Sequence, residues 1–427
     1  MTRKSREIGD RAYTPTGARP REAAQGVERL RAGRREDKPP AVVLGGVGGA
    51  LSVTRSLSRH GVRVYALADR LSLVRASRHC AQFVDLGSDE DIQDRWLEWL
   101  ETGPRGAVVL PVGDDGLELV ARHRPALESM GYIPIDGDGD LMLGLLDKQR
   151  THEVALAAGI PAPATMPASD ADADAVAARI GFPCALKPVH SHLFSRHFRV
   201  KLFVADDPAQ FVEILSRTDA LGIEMVATEI VRGSDDRHHQ LYAYIDRRGK
   251  PLCALTLRKV RQYPIHFGLG TYFVTDRNPE VMEVGLRFCG EIGLRGLANV
   301  EFKRDSRDGN LKLIECNYRF TALNELVRVA GLDLAVMTYD YLTGRQVPPV
   351  PEYRAGARFW RPIEDARAVR DYRRAGELDY GRLLTSLLYR KKHYFFDWGD
   401  PGPTFFSFWK KVKNRSRALF GKVASRA

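Results

Sequence analysis

Residues 299–320 read NVEFKRDSRDGNLKLIECNYRF, and they set the hardest condition on any fold for this chain. Glu301, Glu315 and Asn317 lie in otherwise apolar, strand-like sequence, where a carboxylate is costly to bury without a partner. The Asp308–Gly309 pair between the two runs is a strong hairpin signal. Side chains two positions apart share a strand face, so Glu315, Asn317 and Arg319 point the same way. A turn centred on Asp308 sets Glu301 directly opposite Glu315. Two facing carboxylates repel, and each raises the other's pKa unless a cation sits between them. Glu, Glu and Asn offer hard oxygen donors, which suit magnesium better than zinc. Magnesium leaves positions open for phosphate oxygens, and Arg319 then has an anionic partner. The competing reading is a surface hairpin whose acids pair with Lys303, Lys312 and Arg319.

The rest of the chain narrows the class. At 427 residues it is long for one core, so two or three domains are expected. The five cysteines form no CxxC pair, which argues against a disulfide framework or zinc cluster and fits a reducing cytoplasm. No run approaches the roughly 20 apolar residues of a membrane span, and the basic N-terminus is followed by no apolar signal core. The net charge of +11 sits in the tails: residues 1–40 hold eleven Lys/Arg against six acids, and 405–427 hold seven against none. The core between them is near neutral, so nucleic acid is not an expected partner.

Residues 1–40 are polar and Arg-rich, and are expected to be disordered. From residue 41, AVVLGGVGGALSVTRSLSRHGVRVYALAD runs strand, glycine turn, helix, strand, and RGAVVLPVGDDGLELVARH repeats the alternation. A small parallel α/β unit follows from that order. Gly46-x-Gly48 is followed by Leu51 where a dinucleotide fingerprint needs Gly or Ala, although Asp69 lies near the distance for a ribose contact. A tight turn into a helix is the simpler reading. Asp147 is placed to cap a helix running to about Ala158. Beyond it, FPCALKP and EMVATEIVRG read as strands, and HQLYAYIDRRGKPLCALTLRKV as a hairpin turned at Arg248–Gly249.

Over residues 41–345 these features together resemble the ATP-grasp superfamily of carboxylate–amine ligases, with D-aspartate ligases as a near subgroup. The resemblance implies an N-terminal parallel α/β domain (41–144), a two-lobed ATP-grasp domain (145–345, lid lobe about 180–230) and a C-terminal extension (346–427). It implies that Glu301, Glu315 and Asn317 hold two magnesium ions, for which manganese could substitute, between the ATP phosphates. Arg319 matches the arginine that steadies the transferring phosphoryl group. Lys148 and Lys187 match the phosphate-binding lysines. Glu229 matches the acceptor of the adenine amino group, and Ile230 and Val231 the backbone that reads the ring edge. Asp236 is placed for the ribose hydroxyls, with Asp235 as its rival. Lys259, or Arg258 beside it, corresponds to a residue on the γ-phosphate. The segment after Lys187, VHSHLFSRHFRVKLF, lacks the glycines of many family lids, and Arg196, His197 and Lys201 could donate in their place. Gly268 and Gly270 are read as part of the acceptor pocket, with a plain turn as an equal alternative.

The implied reaction uses ATP to convert a small-molecule carboxylate to an acyl phosphate, which an amine then displaces. Two other classes compete: a nicotinamide-dependent oxidoreductase built on the first glycine turn, and a non-catalytic nucleotide-binding protein held at a membrane. The tail SFWKKVKNRSRALFGKV places Phe405, Phe408, Trp409, Val412, Leu419, Phe420 and Val423 near one helical face with cations elsewhere. That pattern suits peripheral contact with the inner face of the cell membrane by an otherwise cytoplasmic protein. Docking of this helix on the protein itself is the alternative, and a homodimer is compatible with either.

Overall fold

The computed structural model describes residues 38–46, 48–87, 91–168, 173–189, 194, 197–198, 200–348, 352–410 and 412. Arg196, the expected N-terminal disorder up to residue 37 and the tail beyond 412 lie outside these residues. The chain divides into Met1–Lys38 and Pro39–Ala427, and the second unit carries the architecture.

Its first layer is a five-stranded parallel sheet in the order β3-β2-β1-β4-β5. The strands are β1 (Ala41–Leu44), β2 (Val64–Ala68), β3 (Gln82–Asp85), β4 (Val108–Pro111) and β5 (Ile133–Pro134). Every residue of β1 and β4 is buried, as expected of a parallel sheet covered on both faces. Helices α1 (Gly48–Arg59), α2 (Ile92–Thr102) and α3 (Asp114–Ser129) alternate with the strands, and α4 (Gly139–Leu146) follows β5. Helix α5 (Lys148–Ala157) opens on Asp147, whose Oδ1 accepts from the Gln149 and Arg150 backbone amides at 2.8 and 3.1 Å. The cap read from the sequence is therefore in place.

A small antiparallel sheet forms the second layer, ordered β6-β9-β7-β8, from β6 (Thr165–Ala168), β7 (Cys184–Pro188), β8 (Phe203–Ala205) and β9 (Met225–Glu229). Helices α6 (Ala173–Arg179) and α7 (Pro208–Asp219) pack on it around Val176, Leu186, Phe194, Phe211 and Leu215. Strand β6 joins this sheet by pairing with β9, Thr165 opposite Thr228.

The third layer is a seven-stranded sheet, ordered β14-β13-β10-β11-β12-β15-β16. It contains β10 (His238–Ile245), β11 (Pro251–Tyr263), β12 (Leu269–Asp276), β13 (Gly296–Arg304), β14 (Leu311–Asn317), β15 (Arg358–Trp360) and β16 (Lys392–His393). Helix α8 (Pro279–Glu291) links β12 to β13, while α9 (Asn324–Val329) and α10 (Leu334–Leu342) follow β14. The C-terminal extension is woven into this sheet: β15 pairs with β12 and β16 with β15. Helices α11 (Pro362–Arg374) and α12 (Tyr380–Leu388) lie between those strands.

Two glycine segments serve internal packing. A Cβ on Gly48 would sit 2.1 Å from the Tyr394 hydroxyl, and one on Gly49 2.6 Å from Val112. Gly48 thus leaves room for the C-terminal extension and Gly49 for Val112, so close packing accounts for these two glycines. A Cβ on Gly268 would meet the Pro264 carbonyl at 2.1 Å, and one on Gly270 the Phe273 ring at 2.0 Å. Those positions need glycine for the β11–β12 turn, the plainer of the two readings.

Candidate active site

The hairpin β13–β14 pairs Glu301 with Glu315 and Asn299 with Asn317, and the loop between them holds Asp308 and Gly309. Through β10, Asn299 lies opposite Tyr242, Glu301 opposite Gln240 and Lys303 opposite His238. Alternate residues on neighbouring strands share a face, so one surface of the sheet carries Asn317, Glu315, Asn299, Glu301, Gln240, Tyr242 and His238 together. Hydrogen bonds run along it: Asn317 Nδ2 donates to Asn299 Oδ1 at 3.4 Å, and Asn299 Nδ2 to Gln240 Oε1 at 3.3 Å. These amides hold the ladder beside the carboxylates at fixed spacing.

Burial pushes the Glu301 carboxyl above its usual range, against the pull of Lys259, and the facing Glu315 raises it further. Lys259 is buried, and burial lowers its amine while Glu301 opposes that shift. Arg258 points elsewhere, to Asp236 at 3.3 Å, so Lys259 is the member of that pair that faces the acids. Lys187 on β7 is pushed down to about 8, by burial first and then by Lys148, with Glu315 opposing and Lys201 adding. Lys148, at the start of α5, reaches the Pro188 carbonyl at 3.4 Å. Lys187, Lys201 and Lys259 therefore act on the acid pair, and Lys148 stands beside Lys187. Lys312 does not join them and pairs with Glu229 and Asp305, so it is not the partner of Glu301 or Glu315 that the surface-hairpin reading expected.

Arg319 follows β14 and donates from Nε to Asp114 Oδ1 at 2.5 Å, at the N-terminus of α3. Burial opposes its charge, but Asp114 outweighs burial and holds the guanidinium above its usual value. Asp114 belongs to the GDDG stretch after β4. A strand ending in paired acids was the sequence signal for it.

Glu229 ends β9, and its oxygens accept from the Ala164 amide at 3.1 Å, from Lys312 at 3.0 and 3.2 Å, and from Arg307. Burial raises its pKa, but Lys312 and Arg307 lower it more. With both oxygens committed, the adenine expectation rests on the backbone of Ile230 and Val231. Asp235 is buried and accepts from the His266 amide and the Tyr372 hydroxyl at 2.8 and 2.5 Å. Asp236 accepts from Ser234, Arg258 and Arg382. Asp236 is the more open of the two, with both oxygens engaged by these three donors. Arg382 comes from α12, and no local pattern pointed to it.

His152 on α5 was also missed. Its Nδ1 lies 2.7 Å from the Thr165 hydroxyl and its Nε2 3.0 Å from the Ile314 carbonyl. Burial, followed by Lys187, pushes it down to about 4. A neutral ring there ties α5 to β6 and β14 without adding a further cation to the cleft.

No family model matches the chain. It is 28% identical over 241 residues to the D-aspartate ligase of Enterococcus faecium, spanning 53% of this chain and 56% of that protein. It thus matches just over half the length of that relative. It is 30% identical over 266 residues to a D-alanine–D-alanine ligase of Ectopseudomonas mendocina, spanning 57% of this chain and 79% of that one. In fold it is similar to the biotin carboxylase domain of the Hydrogenobacter thermophilus 2-oxoglutarate carboxylase. The TM-score is 0.58 at 18% identity, over 74% of this chain and 73% of that one. With the paired carboxylates, the lysines and the three-layer order in view, the chain belongs to the ATP-grasp carboxylate–amine ligases.

Proposed function

We propose that this protein is an ATP- and Mg2+-dependent ligase that joins a carboxylate to an amine through an acyl phosphate, releasing ADP and phosphate. One observation carries the proposal: Glu301 and Glu315 pair directly on a sheet face otherwise supplied with lysines. Opposed acids at that spacing call for cations, and the lysines call for phosphate. The donor set fits Mg2+: two carboxylates and an amide offer only oxygens. Among the described residues no group of three or more His, Cys, Asp or Glu is arranged for a metal, so the polyphosphate would complete the shell. Bound Mg2+ would neutralise charge on the transferring phosphoryl group.

The chain's own residues do the positioning that phosphoryl transfer needs. Lys148, Lys187 and Lys201 hold the phosphates, and Lys259 meets the γ-phosphate beside Glu301. Asp236 takes the ribose. Arg319, steered by Asp114, steadies the acyl phosphate while the amine attacks. The relatives named above are D-amino-acid ligases, and amino acids or short peptides are the substrate class we extend to this chain. The four-part division at residues 40, 144 and 345 is kept as part of the same proposal. The test is a screen for ADP release with Mg2+ over paired amino acids and short peptides. Glu315→Gln is expected to abolish release while circular dichroism stays unchanged. Turnover equal to wild type would reject the metal assignment.

We also propose that the terminal helix meets an anionic membrane surface. No described helix is long and apolar enough to cross one. Residues 402–410 are helical, and Phe405, Phe408 and Trp409 are exposed. Deletion of residues 405–427 is expected to weaken liposome co-sedimentation, and equal sedimentation would reject this part.

A further inference from the structure

Helix α12 presents two faces with opposite duties. Its inner side reaches the nucleotide pocket: Arg382 meets Asp236, and the buried Ser386 accepts from Arg261, which forms a bidentate pair with Asp365 at 2.8 Å. Its outer side carries Tyr380, Leu384, Leu387 and Leu388, which are 60%, 65%, 61% and 85% exposed. Those positions are spaced four, three and one apart, a single helical stripe. Four large apolar side chains on one short helix form a patch of the kind that marks a docking face. Tyr389 ends the helix in extended backbone, with Arg358 stacked on its ring at 3.4 Å.

Charge identifies the occupant. Residues 366–392 hold eight Lys/Arg against three acids. Arg390, directly after the stripe, is exposed. A second copy of this chain would set that positive charge against itself in a two-fold contact. An anionic lipid surface instead complements the cations and accepts the leucines.

We propose that the outer face of α12 is a membrane-docking surface for anionic lipid, separate from the terminal helix. It deepens the membrane reading above and rests on it only for the nature of the surface. Docking there places lipid one helix thickness from Asp236, so a lipid-linked or membrane-delivered substrate would meet a bound enzyme at its nucleotide cleft.

The experiment uses the full chain with vesicles of phosphatidylglycerol and phosphatidylcholine, and with vesicles of phosphatidylcholine alone. Wild type is expected to sediment with the anionic vesicles only. Leu384→Ser/Leu387→Ser/Leu388→Ser is expected to lose at least tenfold in vesicle affinity with an unchanged melting temperature, since all three side chains are already exposed. A chain ending at residue 404 is expected to keep part of the binding through α12. Triple-variant binding equal to wild type, absence of wild-type binding, or a wild-type dimer that the triple variant abolishes in light scattering would each overturn the proposal. Mg-ADP binding in solution, measured in parallel, is expected to be the same for wild type and triple variant. Its absence from both would sink the ligase reading while leaving the vesicle result standing.

Discussion

Lys187 concentrates the electrostatics of the cleft. Its amine is held at about 8 against an ordinary 10.5, because burial and Lys148 disfavour its charge more than Glu315 favours it. Between those two values the unfolded chain keeps a proton that the folded chain has released, so stability rises with pH across the window. Nucleotide binding runs the other way, because phosphates attract the charged amine. Affinity for Mg-ADP is therefore expected to fall as pH rises above about 8, by up to about tenfold per unit. Calorimetric titration from about pH 7 to about pH 9 checks this, and Lys187→Arg should flatten the profile because a guanidinium stays charged there. A flat wild-type profile would remove Lys187 from phosphate binding.

At the scale of elements, the β13–β14 hairpin is fixed by more than its turn. Asp305, fully buried, accepts from Arg307 Nε at 3.0 Å and pairs with Lys312 at 3.2 Å, and both cations also hold Glu229. The same four groups join the acidic hairpin to the end of β9, where the adenine would sit. Arg307 holds the Asp305 carboxyl well below the usual range. Its stabilising effect is present above the ordinary carboxylate pKa and lost on acidification below it. Asp305→Ala takes one carboxylate from the half-buried Lys312 and the exposed Arg307, and is expected to cost about 2 kcal/mol. Urea denaturation measures it, and an unchanged midpoint would show that Glu229 alone satisfies both cations.

Across the molecule, the C-terminal extension acts as a strap between the first sheet and the large one. Arg55 on α1 donates from Nε to Asp400 Oδ2 at 2.9 Å, with both side chains almost fully buried. Asp400 also accepts from the Ser77 hydroxyl at 2.6 Å and the Arg78 amide at 3.0 Å. Nearby, Tyr394 packs over Gly48. Removing the acid strands a buried guanidinium, so Asp400→Ala is expected to destabilise by about 3 kcal/mol. Thermal unfolding should fall by several degrees, and limited proteolysis should cut first within residues 352–410. A strap that stays protease-resistant in this variant would show that β15 and β16 suffice to hold it.

Much of the site was legible because its signals are local. The Asp308–Gly309 turn and the two-residue strand period place Glu301 against Glu315, and the Asp147 cap fixes where α5 begins, whatever the rest of the chain does. The family pattern singled out Lys148, Lys187 and Arg319, which the proposed function assigns to phosphate. Other features had no local cause. Arg319 finds Asp114 across 205 residues, and Asp236 finds Arg382 across 146. Nothing local to the glycine turn shows that Tyr394 packs against Gly48. Short-range backbone preferences and strand periodicity are written in consecutive residues. Which distant charges share a buried space is decided only when the sheets pack, because burial is what makes an unpaired charge too costly to leave.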